Sequence, residues 1–361
     1  MWGDISIAFL LAFVAAFVIT PYTIRLAKKI GAIDKPEKRR INEEPIPRLG
    51  GIAVIIGFLI SCTYLLIIMT LENTFFPFGE EQYFQKLIGL LLGIIVLGII
   101  CFIDDVKGLP AIVKLIGQTI AAIIVVSFGT QINNVNIPFL EQTLNINNNV
   151  YIYILSVGWI VGITNAINLI DGLDGLSSGI TLISCFSLII VFTMNQSPVI
   201  SIILITALAG AIVGFMPYNI HPAKTFIGDT GAQFLGFSLA VISILGTAKT
   251  YTLLVLISPL IILAIPIADT LFAIVRRIIK GKSIKAIFSP DTGHLHHKLM
   301  KKGYSQKQAV LILYGISACF GMFAIILLES GLWKAISFAL MIIAIIAIGL
   351  KDILKLRNDN K

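Results

Sequence analysis

The residues best suited to chemistry lie between positions 165 and 175, in the sequence N-A-I-N-L-I-D-G-L-D-G. Polar side chains recur there at every third position, as Asn165, Asn168, Asp171 and Asp174. Two long apolar segments flank this run, and carboxylates close to a bilayer are costly, so they usually mark a functional site. A glycine after each aspartate allows a sharp turn and the close approach of a ligand. A turn alone would explain the glycines but not the polar groups, whose oxygens suit a hard cation or the polar edges of a nucleotide.

A second group of charged residues, D-D-V-K, ends the third apolar segment at positions 104–107. Asp104 and Asp105 repel each other unless a cation or a metal-bound phosphate offsets their charge. They are therefore candidates for a catalytic base or for metal ligands, and the alternative is a solvated helix end. Lys114, at the start of the next apolar segment, either holds a phosphate or extends its stem to the membrane interface.

Asp229 is the third candidate, within F-I-G-D-T-G at positions 226–231. It stands just ahead of an apolar segment, where it could ligate a metal while the following amides meet an anion at the helix N-terminus. In the alternative interpretation, Asp229 serves only as the N-cap of that helix. His221, a few residues earlier, is expected to pack or cap rather than to react.

Three of the chain's four histidines, His294, His296 and His297, fall together in a long basic loop. A zinc site is disfavoured, because no cysteine or H-E-x-x-H partner accompanies them. Imidazoles beside Lys298 suit recognition of a diphosphate at least as well. Asp269, in the preceding apolar segment, is either paired with a basic residue or part of the floor of the site, and the sequence favours neither interpretation.

The composition is that of a polytopic membrane protein, since 57% of the residues are hydrophobic and only 13% are charged. Soluble domains carry about 25% charged residues. The four cysteines each lie in an apolar segment, so they predict neither a zinc site nor a disulfide framework. The net charge of +8 comes from residues that flank apolar segments, which indicates membrane orientation rather than nucleic-acid binding.

We predict an all-α bundle of about eleven transmembrane helices, with ten as the alternative count, forming a single domain over residues 1–361. The apolar segments lie near 3–24, 50–71, 87–103, 111–128, 151–168, 175–193, 198–216, 231–248, 252–278, 309–328 and 331–350. The first is expected to be a retained span, because no basic residue precedes it.

Basic residues orient these helices. With eleven spans, one side of the membrane carries the C-terminal tail and the loops 25–49, 104–114, 169–174, 217–230 and 276–308. That side holds all but three of the 27 basic residues, the exceptions being Lys86, Lys249 and Lys334. The positive-inside rule makes it cytoplasmic, with the N-terminus outside and the C-terminus inside. All the candidate motifs then meet at the cytoplasmic face, where we expect them to form one active site.

Taken together, the motifs resemble those of the polyprenyl-phosphate N-acetylhexosamine-1-phosphate transferases, glycosyltransferase family 4. The matching pieces are P-R-L-G-G at 47–51, D-D-V-K at 104–107, N-x-x-N-L-I-D-G-L-D-G-L at 165–176, F-I-G-D-T-G at 226–231 and H-L-H-H at 294–297. The histidine motif is similar to that of the N-acetylglucosamine-1-phosphate branch, because Leu295 interrupts the three consecutive histidines typical of the MurNAc-pentapeptide translocases. An Ile-, Lys- and Asn-rich composition is typical of a low-GC Gram-positive source, which favours the branch that builds the wall teichoic acid linkage unit.

The resemblance implies transfer of N-acetylglucosamine-1-phosphate from UDP-GlcNAc to undecaprenyl phosphate at the cytoplasmic face of a bacterial plasma membrane. The products would be undecaprenyl-diphospho-GlcNAc and UMP, at the first step of a cell-wall polymer pathway such as teichoic acid synthesis. The resemblance also implies Mg²⁺ as the cofactor, with Mn²⁺ as a substitute, no nucleic-acid partner, and a homodimer as one oligomeric state.

Roles follow for the candidate residues by the same resemblance. Metal binding falls to Asp229, with Asp105 as a further ligand. Catalysis falls to Asp104, Asp105, Asp171 and Asp174, and we favour direct attack by the lipid phosphate over a covalent aspartyl intermediate. Lys107 follows the Asp pair more closely than in the family's D-D-x-x-K pattern, so Lys114 is the better basic candidate. Substrate binding falls to Arg48, Lys114, Asn168, Asn219, His294, His296 and His297.

The sequence leaves two other functions open. One is phospho-MurNAc-pentapeptide translocase activity, which differs in the sugar that is transferred. The other is a transporter or lipid flippase, in which carboxylates act as coupling sites near the midpoints of the spans. The candidate charges here gather at one face of the membrane, which argues against a transporter.

Overall fold

The computed structural model describes residues 2–35, 44–71, 82–132, 134–137, 142–145, 149–247, 253–283, 291 and 293–343. In these ranges the helices are α1 (Trp2–Ile30), α2 (Gly50–Leu71), α3 (Gln82–Lys107), α4 (Ala111–Ser127), α5 (Asn149–Ile170), α6 (Leu176–Met194), α7 (Val199–Asn219), α8 (Gly228–Thr247), α9 (Leu253–Ile262), α10 (Ala264–Gly281), α11 (Leu295–Lys301) and α12 (Gln306–Ser330). A further apolar helix, α13, spans Leu332–Ile343. The strands are β1 (Ile33–Asp34), β2 (Ile46–Pro47), β3 (Asn134–Ile137) and β4 (Gln142–Asn145).

The predicted apolar segments coincide with helices throughout the described ranges. Eight of these helices are long and apolar enough to cross a bilayer, whereas α4 and α13 are shorter apolar helices. The helical membrane bundle is therefore confirmed. The number of spans, eleven or ten, and the orientation of the termini stay predictions.

The ninth predicted segment, 252–278, is wrong as a single continuous helix. It is interrupted at Leu263, between α9 and α10. Pro266 has no backbone N–H to donate to the carbonyl of Ile262, and Pro259 lies inside α9. Two prolines within eight residues explain the interruption, which the apolar composition alone did not reveal.

Several helices extend into the predicted loops. α3 continues to Lys107, so Asp104 and Asp105 lie in its last turn rather than in the loop 104–114. The carbonyl of Asp104 accepts the N–H of Gly108 at 2.8 Å, and Gly108 has φ +72°, a conformation that ends a helix and favours glycine. α8 begins at Gly228, so Asp229 lies in a first helical turn rather than in a loop.

Two small antiparallel hairpins depart from the all-helical prediction. In the first, Ile33 pairs with Pro47 and Asp34 with Ile46, which places Arg48 directly after a paired strand. The second joins β3 to β4 with Asn134 opposite Asn145, within an Asn-rich stretch. The first hairpin matters for function, because it leads the chain from α1 into the P-R-L-G-G segment.

Helix α8 lies at the centre of the bundle and packs on α2, α3, α5, α6 and α7. Every residue of α8 except Asp229 is buried, although α8 is the least apolar of the eight long helices. Small residues allow this close packing: a Cβ on Gly236 would lie 2.7 Å from the Cα of Thr164 on α5. The central position brings Asp229, in the first turn of α8, within reach of residues from several other helices.

Candidate active site

Lys114 joins the ends of three helices. Its Nζ donates to Oδ2 of Asp229 at 2.6 Å and to Oδ2 of Asp104 at 3.0 Å. The other oxygen of Asp104 accepts the N–H of Leu109 at 2.6 Å. One lysine from α4 therefore offsets carboxylates from α3 and α8, so it does not extend away to the membrane interface.

Asp105 faces a different way and caps helix α8 from outside that helix. Its Oδ1 accepts the N–H of Asp229 at 2.9 Å, and its Oδ2 accepts the N–H and the hydroxyl of Thr230 at 2.9 and 2.6 Å. Arg48 adds two contacts to Oδ1, from Nε at 3.1 Å and from Nη2 at 3.0 Å. The cap of α8 is thus Asp105 rather than Asp229, whose carboxylate is left facing Lys114 and Arg48.

The P-R-L-G-G and F-I-G-D-T-G motifs form one structural unit. Three backbone hydrogen bonds of 2.8 to 3.0 Å join 47–51 to 226–227. A Cβ on Gly51 would lie 2.2 Å from Gly231, and a Cβ on Gly228, which has φ +69°, would lie 2.1 Å from the carbonyl oxygen of Arg48. These glycines permit the close contact that sets Arg48 beside Asp105 and Asp229.

Asp171 lies in the turn between α5 and α6. Its Oδ1 accepts the hydroxyl of Ser177 at 2.6 Å. Burial raises the pKa of Asp171 to about 7, which the Ser177 hydrogen bond opposes and the negative charges of Asp229 and Asp105 reinforce. Asp171 and Asp229 line one cavity, so the D-G-L-D-G turn and the start of α8 belong to one site.

Asp174 is held by the chain that follows α7. Nδ1 of His221 lies 2.7 Å from its Oδ2, and the N–H of Ala223 donates to the same oxygen at 3.2 Å. Asn219 braces this segment, because it donates to the carbonyl of Thr225 at 3.1 Å and accepts the hydroxyl of Ser178 at 2.9 Å. His221 thus holds Asp174, a contact that its H-P-A-K context did not indicate and that only folding creates.

The two asparagines of the motif do not share the environment of its aspartates. Asn165 is turned into a buried amide cluster, where its Nδ2 donates to Gln118 at 2.6 Å, and Gln118 in turn donates to Gln233 at 2.9 Å. Gln118 and Gln233 lie one helical turn beyond Lys114 and Asp229, so the amides form a second layer under that ion pair. Asn168 is half-buried in the last turn of α5, and its carbonyl accepts the N–H of Asp171.

The histidines reach the site through α11. His297 lies beside His296, with ring centroids 4.2 Å apart, and His294 stacks parallel to His296 at 5.8 Å. His296 packs against Gly172, where a Cβ would lie 2.3 Å from Nε2. Burial and the neighbouring imidazoles lower the pKa of His296 to about 3, and burial also lowers the pKa of His297. Both rings are therefore neutral at pH 7, so neither adds a full positive charge to the site.

Asp269 pairs with a histidine of this group rather than with a lysine or arginine. Its carboxylate contacts Nδ1 of His294 at 2.7 Å. Further along α10, Arg276 forms an ion pair with Asp291, so this arginine is an internal anchor rather than a free group at the membrane edge.

A cavity of about 780 Å³ opens between these elements, a size typical of small-molecule sites. The predicted site residues that line it are Arg48, Asp171, Asp174, Asn219, Asp229 and His297. The predicted residues outside its lining are Asp104, Asp105, Lys114, Asn168, His294 and His296. The sequence missed other lining residues, among them Asp34, Glu44, His221, Phe226 and Gln306. Phe226 belongs to the F-I-G-D-T-G motif, whereas no motif marks the others, which reach the cavity because they neighbour the predicted residues in space.

The residues present fit a hard divalent cation. Asp104, Asp105 and Asp229 share two cations, Lys114 and Arg48, so the ionised group keeps a negative charge. Asp171 and Asp229 both line the cavity, and carboxylate oxygens are the ligands that Mg²⁺ prefers. Over the described residues, however, no three His, Cys, Asp or Glu side chains already form a metal site.

Comparison with known proteins shows the family to which the chain belongs. The sequence profile described as glycosyl transferase family 4 matches residues 87–247, which include the carboxylates at 104, 105, 171, 174 and 229. A relative from Bacillus subtilis (strain 168), described as a probable undecaprenyl-phosphate N-acetylglucosaminyl 1-phosphate transferase, is 40% identical over 332 residues. The match covers 92% of this chain and 87% of the relative. The chain belongs to glycosyl transferase family 4.

Other family 4 relatives differ in their described lipid or sugar. A decaprenyl-phosphate N-acetylglucosaminephosphotransferase from Mycobacterium tuberculosis (strain ATCC 25618 / H37Rv) is 31% identical over 341 residues, which are 86% of this chain and 79% of the relative. A phospho-N-acetylmuramoyl-pentapeptide-transferase from Bacillus licheniformis is 30% identical over 322 residues, which are 86% of this chain and 92% of the relative. Among these three, the relative described as an undecaprenyl-phosphate enzyme has the highest identity.

Proposed function

We propose that the protein transfers N-acetylglucosamine-1-phosphate from UDP-GlcNAc to undecaprenyl phosphate, giving undecaprenyl-diphospho-GlcNAc and UMP. The observation that carries this proposal is the convergence of Arg48, Lys114, Asp171 and Asp229 beside one cavity at the ends of membrane helices. Such a site can hold a polar, anionic donor while the lipid acceptor stays in the bilayer. The relatives support the choice of sugar, since two of the three compared are described as N-acetylglucosamine phosphotransferases.

The donor diphosphate requires positive charge. Arg48 and Lys114 supply two cations, and Asp229 and Asp171 are the residues we expect to hold Mg²⁺. When bound, the metal ion neutralises phosphate oxygens and charge on the leaving group, which is the main requirement in phosphoryl transfer. Mn²⁺ has similar ligand preferences and is expected to substitute.

The acceptor needs little help from a base. A lipid monophosphate has a second pKa of about 6, so it is largely a dianion near pH 7. An acceptor oxygen attacks the phosphorus that carries the sugar, a new P–O bond forms, and the bond to UMP breaks. Asp105 already accepts several hydrogen bonds, and both oxygens of Asp104 are engaged. These contacts support direct attack by the acceptor phosphate over a covalent aspartyl intermediate. The two aspartates then position Lys114 and the start of α8.

The cavity suits the nucleotide end of the donor. Phe226 is among the residues that line it, and aromatic rings stack on bases. Asp174 and Asn219 line the same space and offer polar groups for ribose or base edges. His297 lies on the cavity wall as well, where its neutral imidazole can hydrogen-bond a phosphate oxygen.

We further propose that this site faces the cytoplasm of a bacterial cell and starts a cell-wall polymer, with teichoic acid as the favoured product. The basic residues that surround the site, and the cytoplasmic origin of nucleotide sugars, support this sidedness. We also propose that the protein forms a homodimer, although the proposed chemistry does not depend on it. A transporter is disfavoured by carboxylates that gather at helix ends instead of at helix midpoints.

The test is a transfer assay with purified protein in detergent, Mg²⁺ and undecaprenyl phosphate. Radiolabelled UDP-GlcNAc and UDP-MurNAc-pentapeptide are supplied in separate reactions, and label is followed into the lipid phase. We expect label from UDP-GlcNAc, and we expect EDTA or Asp229→Asn to lower it by at least about 100-fold.

The matched control is Asp4→Asn, which removes a carboxylate near the start of α1, about 40 Å along that helix from its C-terminal end. It should leave transfer unchanged. Label from the pentapeptide donor alone would assign the protein to pentapeptide transfer instead. Absence of transfer from both donors would refute the proposed function.

A further inference from the structure

Asp269 has no part in the proposed reaction, yet it makes direct contact with the histidine segment. Its Oδ2 lies 2.7 Å from Nδ1 of His294, and its Oδ1 accepts the N–H of Leu295 at 2.9 Å. Asp269 is 2% exposed and His294 is 5% exposed, so water does not compete for either group. Hydrogen bonds to an ionised carboxylate are among the stronger ones in proteins, which makes this a firm attachment between α10 and α11.

A second attachment lies two helical turns along the same face of α10. Nε of Arg276 donates to Asp291 at 2.8 Å, and its Nη2 contacts the same carboxylate oxygen. Asp291 also accepts the N–H of Gly293 at 3.1 Å, and a Cβ on Gly293 would lie 2.4 Å from Cζ of Arg276. One face of α10 therefore holds the chain just before the histidines as well as at their start.

Helix α11 depends on such attachments, because a helix of 7 residues has little stability of its own. It carries His296, which packs against Gly172 of the D-G-L-D-G turn, and His297, which lines the cavity. Movement at the start of α11 would displace both rings together.

We propose that Asp269 is a positioning residue for the transfer reaction. By holding His294 and the N–H of Leu295, it fixes the start of α11 and thereby sets His296 and His297 against the D-G-L-D-G turn. His294 then acts as a donor to Asp269 rather than as a group that meets substrate. The proposal rests on the proposed function, since it takes His297 to contact the substrate in the cavity. Precise placement matters, because a shift of about 1 Å can cost about 100-fold in rate.

Three variants of the full-length protein test this role. Asp269→Asn keeps the size but only one acceptor oxygen, so it cannot accept from Nδ1 of His294 and from the N–H of Leu295 at the same time. His294→Ala removes the donor, whereas His294→Asn keeps an N–H donor close to the position of Nδ1. We measure kcat and KM for label transfer from UDP-GlcNAc, hydrogen–deuterium exchange of residues 293–301, and Tm.

We expect Asp269→Asn and His294→Ala to lower kcat by about 10- to 100-fold and to speed exchange in 293–301. His294→Asn should restore slow exchange and keep kcat within about threefold of the wild type, since it preserves the bond to Asp269. Trp159→Phe is the matched control, because it removes a distant interhelical hydrogen bond, from Nε1 to Ser243 at 3.0 Å. It should lower Tm without changing kcat or exchange in 293–301.

Wild-type kcat and exchange in both Asp269→Asn and His294→Ala would overturn the proposal. So would a His294→Asn variant that protects α11 yet is as slow as His294→Ala, because His294 would then take part in the reaction itself. Failure of the wild type to transfer either sugar would refute the proposed function, while the exchange rates would still decide whether Asp269 holds α11.

Discussion

Neighbouring residues in the sequence have different tasks in the site, and Asp104 and Asp105 illustrate this. Consecutive helical positions point about 100° apart, so the two carboxylates leave the last turn of α3 in different directions. Asp104 turns to Lys114, and Asp105 turns to the first amides of α8. Their adjacency in the sequence suggested one shared role. In the helix, however, Asp104 joins the charge cluster around Lys114, and Asp105 caps α8.

This geometry predicts the effect of Asp105→Asn. The new amide group would face the donors of Thr230 or Arg48, so we expect a lower Tm, with about 2 kcal/mol lost from the free energy of unfolding. We also expect a lower kcat, because Asp229 follows directly from the capped turn. The Mg²⁺ concentration for half-maximal activity should stay close to that of the wild type. Thermal unfolding in detergent and Mg²⁺ titration of the transfer rate measure these quantities.

Thr230→Val is the matched control for the cap, because it removes one hydroxyl bond to Asp105 and keeps the backbone bond. Its effect on Tm should be smaller than that of Asp105→Asn. If Asp105→Asn kept the wild-type Tm but required much more Mg²⁺, then Asp105 would be a metal ligand as the family resemblance implied.

At the scale of helices, small residues determine which elements can approach closely enough to build the site. Helix α1 runs against α7, where a Cβ on Gly210 would lie 2.3 Å from the carbonyl of Phe9. Gly214, one turn later, comes equally close to Phe13. This close contact fixes α7, whose C-terminal end carries Asn219 and leads to His221 in the cavity wall.

Gly214→Ala should therefore lower Tm, because the added Cβ would lie 2.3 Å from the carbonyl oxygen of Phe13 and the helices would have to separate. Gly98→Ala on α3 is the matched control, since no atom outside its own stretch of α3 lies within 4 Å of the added Cβ. It should keep or raise Tm, as alanine favours a helix by up to about 1 kcal/mol over glycine. A fall in Tm that is equal in the two variants would contradict this view of the α1–α7 contact.

Tyr314 shows that a late helix can also shape the site. From α12 its hydroxyl donates to the carbonyl of Gly175 at 2.5 Å, at the end of the D-G-L-D-G turn. Gly175 has φ +72°, which suits glycine, and a Cβ on Gly179 would lie 2.0 Å from the Tyr314 ring. The turn is thus supported by α12 as well as by its own glycines.

For the molecule as a whole, the functional groups gather at one end of the bundle, while Trp159 and Lys86 belong to other regions of it. A phosphotransferase that joins a soluble nucleotide sugar to a membrane lipid needs its site at the interface between water and bilayer. Carboxylates at helix ends satisfy this need without placing charge in the hydrocarbon centre.

The proposed orientation predicts the labelling of two exposed lysines at opposite ends of α12. The 25 residues of that helix span about 37 Å, which exceeds the hydrocarbon core of about 30 Å. In intact cells a membrane-impermeant maleimide should label Lys334→Cys but not Lys302→Cys, and permeabilised cells should show both labelled. The reverse pattern would place the site outside the cytoplasm.

The native cysteines provide the background for that experiment. Cys62, Cys101 and Cys185 are buried free thiols, and Cys319 is half-buried on α12. Wild-type protein should therefore label weakly under the same conditions, and Cys319→Ser removes what remains.

The sequence by itself determined that this is a helical membrane protein, where its apolar segments lie, and to which family its motifs belong. Hydrophobic length depends on local composition, and the motifs are contiguous stretches of chain, so neither needs tertiary information. The predicted helices hold throughout the described ranges, with the ninth interrupted at its prolines.

Tertiary structure alone decided which polar side chains reach the cavity. Helices that are apolar on every side, such as α7, give no periodic signal of their rotation, so the direction of a polar residue cannot be inferred from its spacing. Asn165 therefore joined Gln118 and Gln233 instead of Asp171, although it belongs to the same motif. The cap of α8 joins residues 124 positions apart, and the partner of Asp269 is a histidine 25 positions away, at the N-cap of another helix. Such partners are chosen by the packing of whole helices, which local sequence does not contain.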